Sequence, residues 1–152
     1  MHPGESVSLL RIPQSIYSDL CAHAEETYPR ECCGALLGRI TQEGWRVERM
    51  QRAVNACDDT SHDRYEIAAA ELVKIAQLAR ERGLEIAGFY HSHPDHPARW
   101  SAIDLAEAHW LGCCYVITEV ARGRVAHTSA FLLAGTTEED KRFEAEELEI
   151  GS

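Results

Sequence analysis

The chain has 152 residues, of which 45% are hydrophobic and 26% charged, values that are ordinary for a globular protein and exclude disorder as its main state. This length predicts a single domain over residues 1–152. The 25 acidic residues outnumber the 15 basic ones, so the net charge is −10 and nucleic acid is not an expected partner.

The sequence also lacks the patterns of membrane insertion and secretion. No apolar run approaches the roughly 20 residues of a membrane-spanning helix, and residues 1–5 do not resemble a secretory signal. We therefore expect a cytoplasmic protein without a membrane partner. Four of the six cysteines form the adjacent pairs Cys32-Cys33 and Cys113-Cys114 within apolar surroundings, so we expect reduced, packed thiols.

The first third of the chain predicts a strand, a helix and a hairpin. Residues 7–12 form an apolar run closed by a proline, which is typical of a strand. From Gln14 to Pro29 the apolar positions recur every three or four residues, as on one face of a helix. Residues 34–40 and 45–54 then predict two strands joined by a turn, the second with one solvated face.

The central third adds two helices around one strand. A polar loop over residues 55–63 precedes a helix that ends at Gly83, and a strand over residues 84–90 runs directly into His91-Ser92-His93-Pro94. A third helix, closed by Gly112, is predicted because three apolar residues fall on one helical face: Ile103, Ala106 and Trp110.

Strands over residues 113–120 and 124–133 complete the order β, α, β, β, α, β, α, β, β. This order indicates an α/β fold in which helices pack a single mixed sheet. Residues 136–152 hold seven acidic and two basic side chains, so half of the net charge of −10 lies in what we predict to be an acidic C-terminal tail.

Two histidines at a strand end, His91 and His93, are the first candidates for chemistry. Alternate side chains of a strand project to one side, with Cα atoms about 6.5–7 Å apart, so both rings can reach one metal ion. Catalytic zinc usually takes three protein ligands, and Asp104 is the nearest downstream candidate. Ser101 and Asp104 also have capping-box spacing, which needs no metal. Taken together, these residues favour a metal site.

The same residues resemble the signature of a known family. His91-Ser92-His93, Ser101 and Asp104 match the His-x-His-x7-Ser-x-x-Asp spacing of JAMM (MPN-plus) metalloproteases, and Glu31 resembles the upstream glutamate of that family. The resemblance runs from the first strand to Leu133. It is strongest to a small prokaryotic branch, which includes peptidases that act on ubiquitin-like sulfur-carrier proteins. It implies the MPN fold, which is similar to that of cytidine deaminases.

The resemblance implies a role for each of these residues. His91, His93 and Asp104 would bind one catalytic zinc ion, with water as the fourth ligand. Glu31 would take the proton of that water and pass it to the leaving amine, and Ser101 would donate a hydrogen bond to the oxyanion. The implied reaction is hydrolysis of an amide bond after the C-terminal tail of a ubiquitin-like sulfur-carrier protein, bound extended as an added strand.

Other interpretations remain open. A metal-free MPN scaffold protein normally lacks these His, Asp and Glu residues. A RadC-like JAMM protein has a different sequence around the motif, and its link to DNA does not fit the acidic charge of this chain. A cytidine-deaminase-like zinc enzyme needs a His-x-Glu and a Cys-x-x-Cys that this sequence lacks. The sequence leaves open whether the chain forms a homodimer.

Weaker candidates are expected to be solvated or to support the site from a distance. Cys32 and Cys33 point to opposite faces of a strand, so both cannot easily bind one metal, and packing is expected for them. The other residues of this kind are His62, His96, His109, Asn55 and the Asp58-Asp59 loop.

Overall fold

The computed structural model describes residues 8–57 and 64–151, and its framework is a seven-stranded sheet closed into a barrel. The strands are β1 (Leu9–Pro13), β2 (Cys33–Ile40), β3 (Trp45–Ala53), β4 (Glu85–Pro94), β5 (Cys114–Ala121), β6 (Arg124–Ala134) and β7 (Arg142–Gly151). The helices are α1 (Gln14–Thr27), α2 (Ala69–Glu81) and α3 (Ala102–Glu107). Around the barrel the order is β1-β3-β2-β4-β5-β6-β7.

This architecture confirms the expected α/β fold with a mixed sheet, and the predicted order of elements is confirmed through β6. The start of the predicted first strand at Val7, His62 and the Asp58-Asp59 loop lie outside the described residues. None of the helices in the described segments is long and apolar enough to cross a lipid bilayer.

Strand β4 carries the two histidines and has a neighbour on each side. It runs antiparallel to β2, with Cys33 opposite His91, and parallel to β5, with His91 opposite Ile117. Gly88 allows the close approach to β5, because a Cβ atom there would lie 2.0 Å from the carbonyl oxygen of Cys114. Since both edges of β4 are hydrogen-bonded, β4 itself has no edge to which a substrate strand could add.

The two faces of β4 belong to different hydrophobic clusters. Tyr90 packs with α1 and the interior of the barrel, whereas Phe89 packs beneath α2 with Leu37 and Ile75. Because side chains alternate along a strand, His91 and His93 share the face of Phe89. The histidines therefore project from the outer, α2-covered side of the barrel.

The third helix is shorter than the sequence predicts. The prediction to Gly112 was wrong, because α3 ends at Glu107 while Ile103 and Trp110 are 40% and 39% exposed. The chain instead extends at Ala108, which is only 2% exposed, and the amide of Gly112 donates to the carbonyl of Leu133. Burial of Ala108 and this pairing to β6 outweigh continuation of the helix.

Most of the acidic C-terminal segment is a strand, β7, and not a tail, which corrects the expectation for residues 142–151 of the predicted tail over 136–152. Strand β7 pairs antiparallel with β6 and parallel with β1, where Leu10 lies opposite Leu148 and Ile12 opposite Ile150. Leu148 and Ile150 pack against the interior cluster, and the alternating Glu147 and Glu149 face outward. Because most of this segment is acidic, the sequence alone does not show that Leu148 and Ile150 form the buried face of a strand.

Glu146 is the exception to this pattern, since it lies in β7 with only 8% of its surface exposed. Its Oε2 accepts from Ser8 Oγ at 2.6 Å, and its Oε1 has no hydrogen-bond partner among the described residues. Burial raises the pKa of Glu146, against the opposing effect of the Ser8 bond. At neutral pH this carboxylate therefore carries an electrostatic cost.

We predict that Glu146→Gln stabilises the protein at pH 7.5 by about 1 kcal/mol, because the neutral amide avoids the cost of burying a charge. The pKa of Glu146 in the folded chain lies above the unfolded value of about 4.3. The stability that comes from its protonated carboxyl group is therefore fully present below that value and is lost as the pH rises through the folded pKa. The gain should therefore vanish near pH 4. Urea unfolding at both pH values checks this, with the exposed Glu147→Gln as control. An equal gain at both pH values would contradict it.

Candidate active site

Three side chains converge at the end of β4 and the start of α3. His91 Nε2 lies 3.3 Å from His93 Nε2 and 3.2 Å from Asp104 Oδ1, and His93 Nε2 lies 3.1 Å from Asp104 Oδ2. The side chains of His91 and Asp104 are 2% and 7% exposed. Within the described part of the chain, this is the one group of three such side chains that could hold a metal ion.

The spacing of these atoms fits a tetrahedral metal. Ligands held about 2.0–2.1 Å from a tetrahedral ion lie about 3.3–3.4 Å from one another. The 3.3 Å between the two imidazole nitrogens is close to that value, and each nitrogen lies 3.1–3.2 Å from a different carboxylate oxygen of Asp104. Two imidazole nitrogens and one carboxylate are a donor set that transition metals favour, and three protein ligands leave one position for water or substrate.

Neighbouring groups orient the imidazole rings of His91 and His93. The Nδ1–H of His93 donates to the carbonyl of Pro97 at 2.9 Å, which leaves the lone pair of Nε2 for a metal. The ring of Tyr65 stacks on His91, with centroids 4.4 Å apart. In the described residues, Nδ1 of His91 has no hydrogen-bond partner. Packing thus orients His91, and a hydrogen bond orients His93.

The protonation states of His91 and Asp104 also suit ligation. Burial lowers the pKa of His91, against the opposing effect of its bond to Asp104. Burial acts to raise the pKa of Asp104, but hydrogen bonds from the two imidazoles outweigh it and hold that pKa well below its usual range. For His93, burial acts to lower the pKa, and its bonds to Asp104 and Pro97 raise it overall. Asp104 is therefore an anion beside a neutral His91.

A capping box holds Asp104 in place. Ser101 Oγ accepts from the backbone N–H of Asp104 at 3.0 Å, and Asp104 Oδ2 accepts from the N–H of Ser101 at 2.9 Å. The sequence offered a cap and a metal ligand as two interpretations of Asp104, and the structure accommodates both. The hydroxyl hydrogen of Ser101 is not used in the cap, so it remains able to donate to another oxygen.

Glu31 lies on the same face of the sheet as the histidines. The register that pairs Cys33 with His91 continues through a hydrogen bond from the N–H of Ser92 to the carbonyl of Cys32, so Glu31 falls opposite His93. Glu31 is only 2% exposed. It shares with His93 and Ser101 the wall of a cleft of about 590 Å³.

Asn55, which the sequence analysis ranked as a weak candidate, supports this cleft. The side-chain amide of Asn55 donates to the carbonyls of Glu31 and Arg64, at 3.2 and 3.1 Å. Its Oδ1 accepts from the backbone of Cys57 and Glu66. Asn55 therefore organises the loop that carries Tyr65, and no role in binding substrate is needed to explain it.

The remaining candidates divide between the cleft and other surfaces. His96 is exposed on the wall of the cleft. His109 points elsewhere and forms an ion pair with Glu138 at 3.1 Å. Cys32 packs in the interior cluster, and Cys33 lies buried beside His91. All six cysteines are unpaired, in agreement with the expectation of reduced thiols.

Tyr65 and Trp100 are site residues that the sequence analysis missed. Tyr65 covers His91, and Trp100 is 41% exposed on the cleft wall. Trp100 directly precedes Ser101 and Tyr65 lies 26 residues before His91, but periodicity does not assign loop residues to a site. A second cavity of about 310 Å³ beside Tyr65 has an aromatic floor that includes Phe89, Trp110 and Tyr115.

Comparison with known proteins identifies the family. The model of prokaryotic homologs of the JAB domain matches residues 13–133, which is most of the chain. The chain belongs to this family. The resemblance inferred from the motif spacing is confirmed, and the match includes Glu31, the two histidines and Asp104.

Relatives of this JAB-domain protein include named peptidases. It is 29% identical over 124 residues to a desampylase of Haloferax volcanii, covering 79% of this chain and 87% of that protein. It is also 29% identical over 102 residues to a probable TtuB-protein conjugate cleaving protease of Thermus thermophilus, covering 67% of this chain and 65% of that protein. The match thus spans slightly less than two thirds of the Thermus protein.

Solved structures show the same fold. A solution structure of a protein from Desulfitobacterium hafniense has a TM-score of 0.78 at 27% identity, covering 93% of this chain and 92% of that one. A JAB1/MPN domain protein from Archaeoglobus fulgidus has a TM-score of 0.58 at 15% identity, covering 93% of this chain and 99% of that one. The second likeness shows the JAB/MPN fold alone.

We predict that the chain binds one equivalent of Zn²⁺ and that binding raises its melting temperature, since the ion binds the three ligands only as the folded chain brings them together. Asp104→Ala should lower the affinity for Zn²⁺ at least 100-fold, as measured by competition with a chelator. Glu81→Gln, an exposed position on α2, is the control and should bind like the unmodified chain. Unchanged zinc affinity in Asp104→Ala would contradict the site.

Proposed function

We propose that this JAB-domain protein is a zinc-dependent isopeptidase that hydrolyses the amide bond after the C-terminal tail of a ubiquitin-like sulfur-carrier protein. The observation that carries the proposal is the convergence of His91, His93 and Asp104 beside a cleft walled by Glu31 and Ser101. A metalloenzyme that hydrolyses amides needs three metal ligands next to a buried carboxylate such as Glu31, whereas a scaffold protein has no use for them. The names of two relatives support a ubiquitin-like substrate.

His91, His93 and Asp104 would hold the ion. Zinc would supply a Lewis acid and lower the pKa of water to about 7, so that a nucleophile is available at neutral pH. The chain's own groups keep the ligands in place: Pro97 orients His93, Tyr65 packs on His91, and the cap at Ser101 fixes Asp104. These contacts would keep the three ligand side chains in place around an ion.

Glu31 is proposed as the general base. Glu31 and His93 line the same cleft, where the carboxylate would accept a proton from the attacking water and pass it to the leaving amine. Ser101 is proposed to donate its free hydroxyl hydrogen to the oxyanion of the tetrahedral intermediate. Glu31 precedes β2 and Ser101 precedes α3, and both line the same cleft, so a scissile amide bound between them would contact both.

The substrate tail is proposed to cross this cleft in an extended conformation. A tail that ends in small residues can bring its backbone close to a buried metal site, because no side chain intervenes. Since β4 is paired on both edges, the tail does not extend the sheet at β4 itself, and the cleft walls must supply its contacts. We place the reaction in the cytoplasm, where the six thiols stay reduced.

We predict that Glu31→Gln lowers kcat by 100-fold to 10,000-fold, the usual range for loss of a general base, while leaving zinc affinity unchanged. The assay measures release of a ubiquitin-like sulfur carrier from an isopeptide-linked conjugate, with bound zinc measured in parallel. Glu66→Gln is the matched control, because Glu66 is exposed and lies outside the cleft. The proposal fails if the zinc-loaded protein cleaves no conjugate of any such carrier.

We also predict that Ser101→Ala lowers kcat by 100-fold to 1,000-fold through loss of one oxyanion donor. The same change removes a helix cap, which costs about 1 kcal/mol of stability. Ser101→Thr separates the two effects, because threonine keeps both the hydroxyl donor and the cap. Steady-state kinetics and thermal melting of the two variants provide the check. Equal activity in both variants would rule out the oxyanion role.

A further inference from the structure

Helix α3 carries one metal ligand and meets the core through the partly buried Leu105, which packs on the cluster beneath α2. It has six residues, and none of them is buried. A helix this short is unstable by itself in water. The capping box at Ser101 and Asp104 satisfies its N-terminus, whereas its last carbonyl groups need partners from elsewhere. The position of Asp104 therefore depends on what holds the other end of α3.

Lys141 holds that end. Its Nζ donates to the carbonyl oxygens of Ala106 at 3.1 Å and Ala108 at 2.8 Å, and to Glu138 Oε1 at 3.0 Å. The side chain of Lys141 is 9% exposed. Three acceptors match the three hydrogens of the ammonium group. A cation at this end also complements the negative pole of the helix dipole.

The same segment contacts the chain just before the N-terminus of α3. The ring of Phe143 packs on Trp100 with centroids 5.6 Å apart, and Trp100 directly precedes Ser101. Phe143 is itself anchored against Tyr115 and Phe131, at 5.4 and 5.9 Å. Residues 136–143, which we call the α3 clamp, thus touch both ends of the helix.

The α3 clamp is a defined turn. The carboxylate of Asp140 accepts from the backbone N–H groups of Thr136 and Thr137, at 2.9 and 2.7 Å. These bonds lower the pKa of Asp140 to about 2. The turn therefore presents Lys141 and Phe143 from a fixed base, although it lies beyond residues 13–133, where the family match ends.

We propose that Lys141 is a positioning residue that holds Ser101 and Asp104 in register with the two histidines by capping the C-terminus of α3. Without the ammonium group of Lys141, the carbonyl groups of Ala106 and Ala108 lose this donor. Asp104, two residues before Ala106, then loses its fixed position. The role in turnover rests on the proposed function, whereas the role in metal binding does not.

The test compares Lys141→Met, which keeps the length of the side chain without its charge, with Lys141→Arg and with Arg142→Gln. Arg142 pairs only with the exposed Glu144 among described residues and serves as the control. Competition between the protein and a chelator for Zn²⁺ gives the metal affinity. We expect Lys141→Met to weaken it by 10-fold to 100-fold, the range typical of lost support for a metal ligand. Lys141→Arg should recover most of this loss, and Arg142→Gln should show none.

Kinetics on a carrier conjugate add a second readout. Lys141→Met should lower kcat with little change in KM, because substrate binding surfaces outside α3 remain intact. If Lys141→Met binds zinc and turns over like the unmodified chain, the inference is overturned. If Lys141→Met does not fold, Phe143→Leu, which weakens the other contact of the clamp, must lower zinc affinity, or the inference fails. If the unmodified chain cleaves no conjugate but Lys141→Met still loses zinc affinity, the proposed function fails and the role of Lys141 in holding α3 is supported.

Discussion

The site depends on one backbone register, the pairing of Cys32 with Ser92. The N–H of Ser92 donates to the carbonyl of Cys32 at 3.2 Å, and Ser92 Oγ accepts from the N–H of Cys32 at 2.8 Å. These two bonds fix the beginning of β2 against the end of β4. A slip of one residue would turn Glu31 to the barrel interior and away from His93. The serine between the histidines therefore fixes where the glutamate lies.

Because side chains alternate along β4, its core residue Tyr90 and its two histidines point to opposite faces of the strand. On one side of β4, Tyr90 fills the interior, and its hydroxyl lies 2.6 Å from Nδ1 of the buried His23. Burial lowers the pKa of His23 to about 4, so this histidine is neutral in the core. On the other side, the histidines face α3 and a cleft. A single strand thus supplies core residues and metal-ligand candidates at successive positions.

The sequence predicted most of this arrangement, and its failures have physical causes. Spacing brought His91, His93 and Asp104 together because strand period and helix capping are local rules. Glu31 could be chosen only through the family resemblance, since its proximity arises from pairing between β2 and β4. The length of α3 was overestimated because the burial of Ala108 is a tertiary effect. The strand nature of 142–151 was hidden because its partner β1 is at the other end of the chain.

The double use of Asp104 has a consequence for comparing sequences. A chain that had discarded its metal would still gain from a Ser-x-x-Asp pair at the start of this helix, because the cap stabilises the helix regardless of any ion. Retention of that pair therefore says little about catalysis in a distant homologue. The two histidines have no comparable local reason to persist. Inactive descendants of this fold should be recognised by what occupies positions 91 and 93.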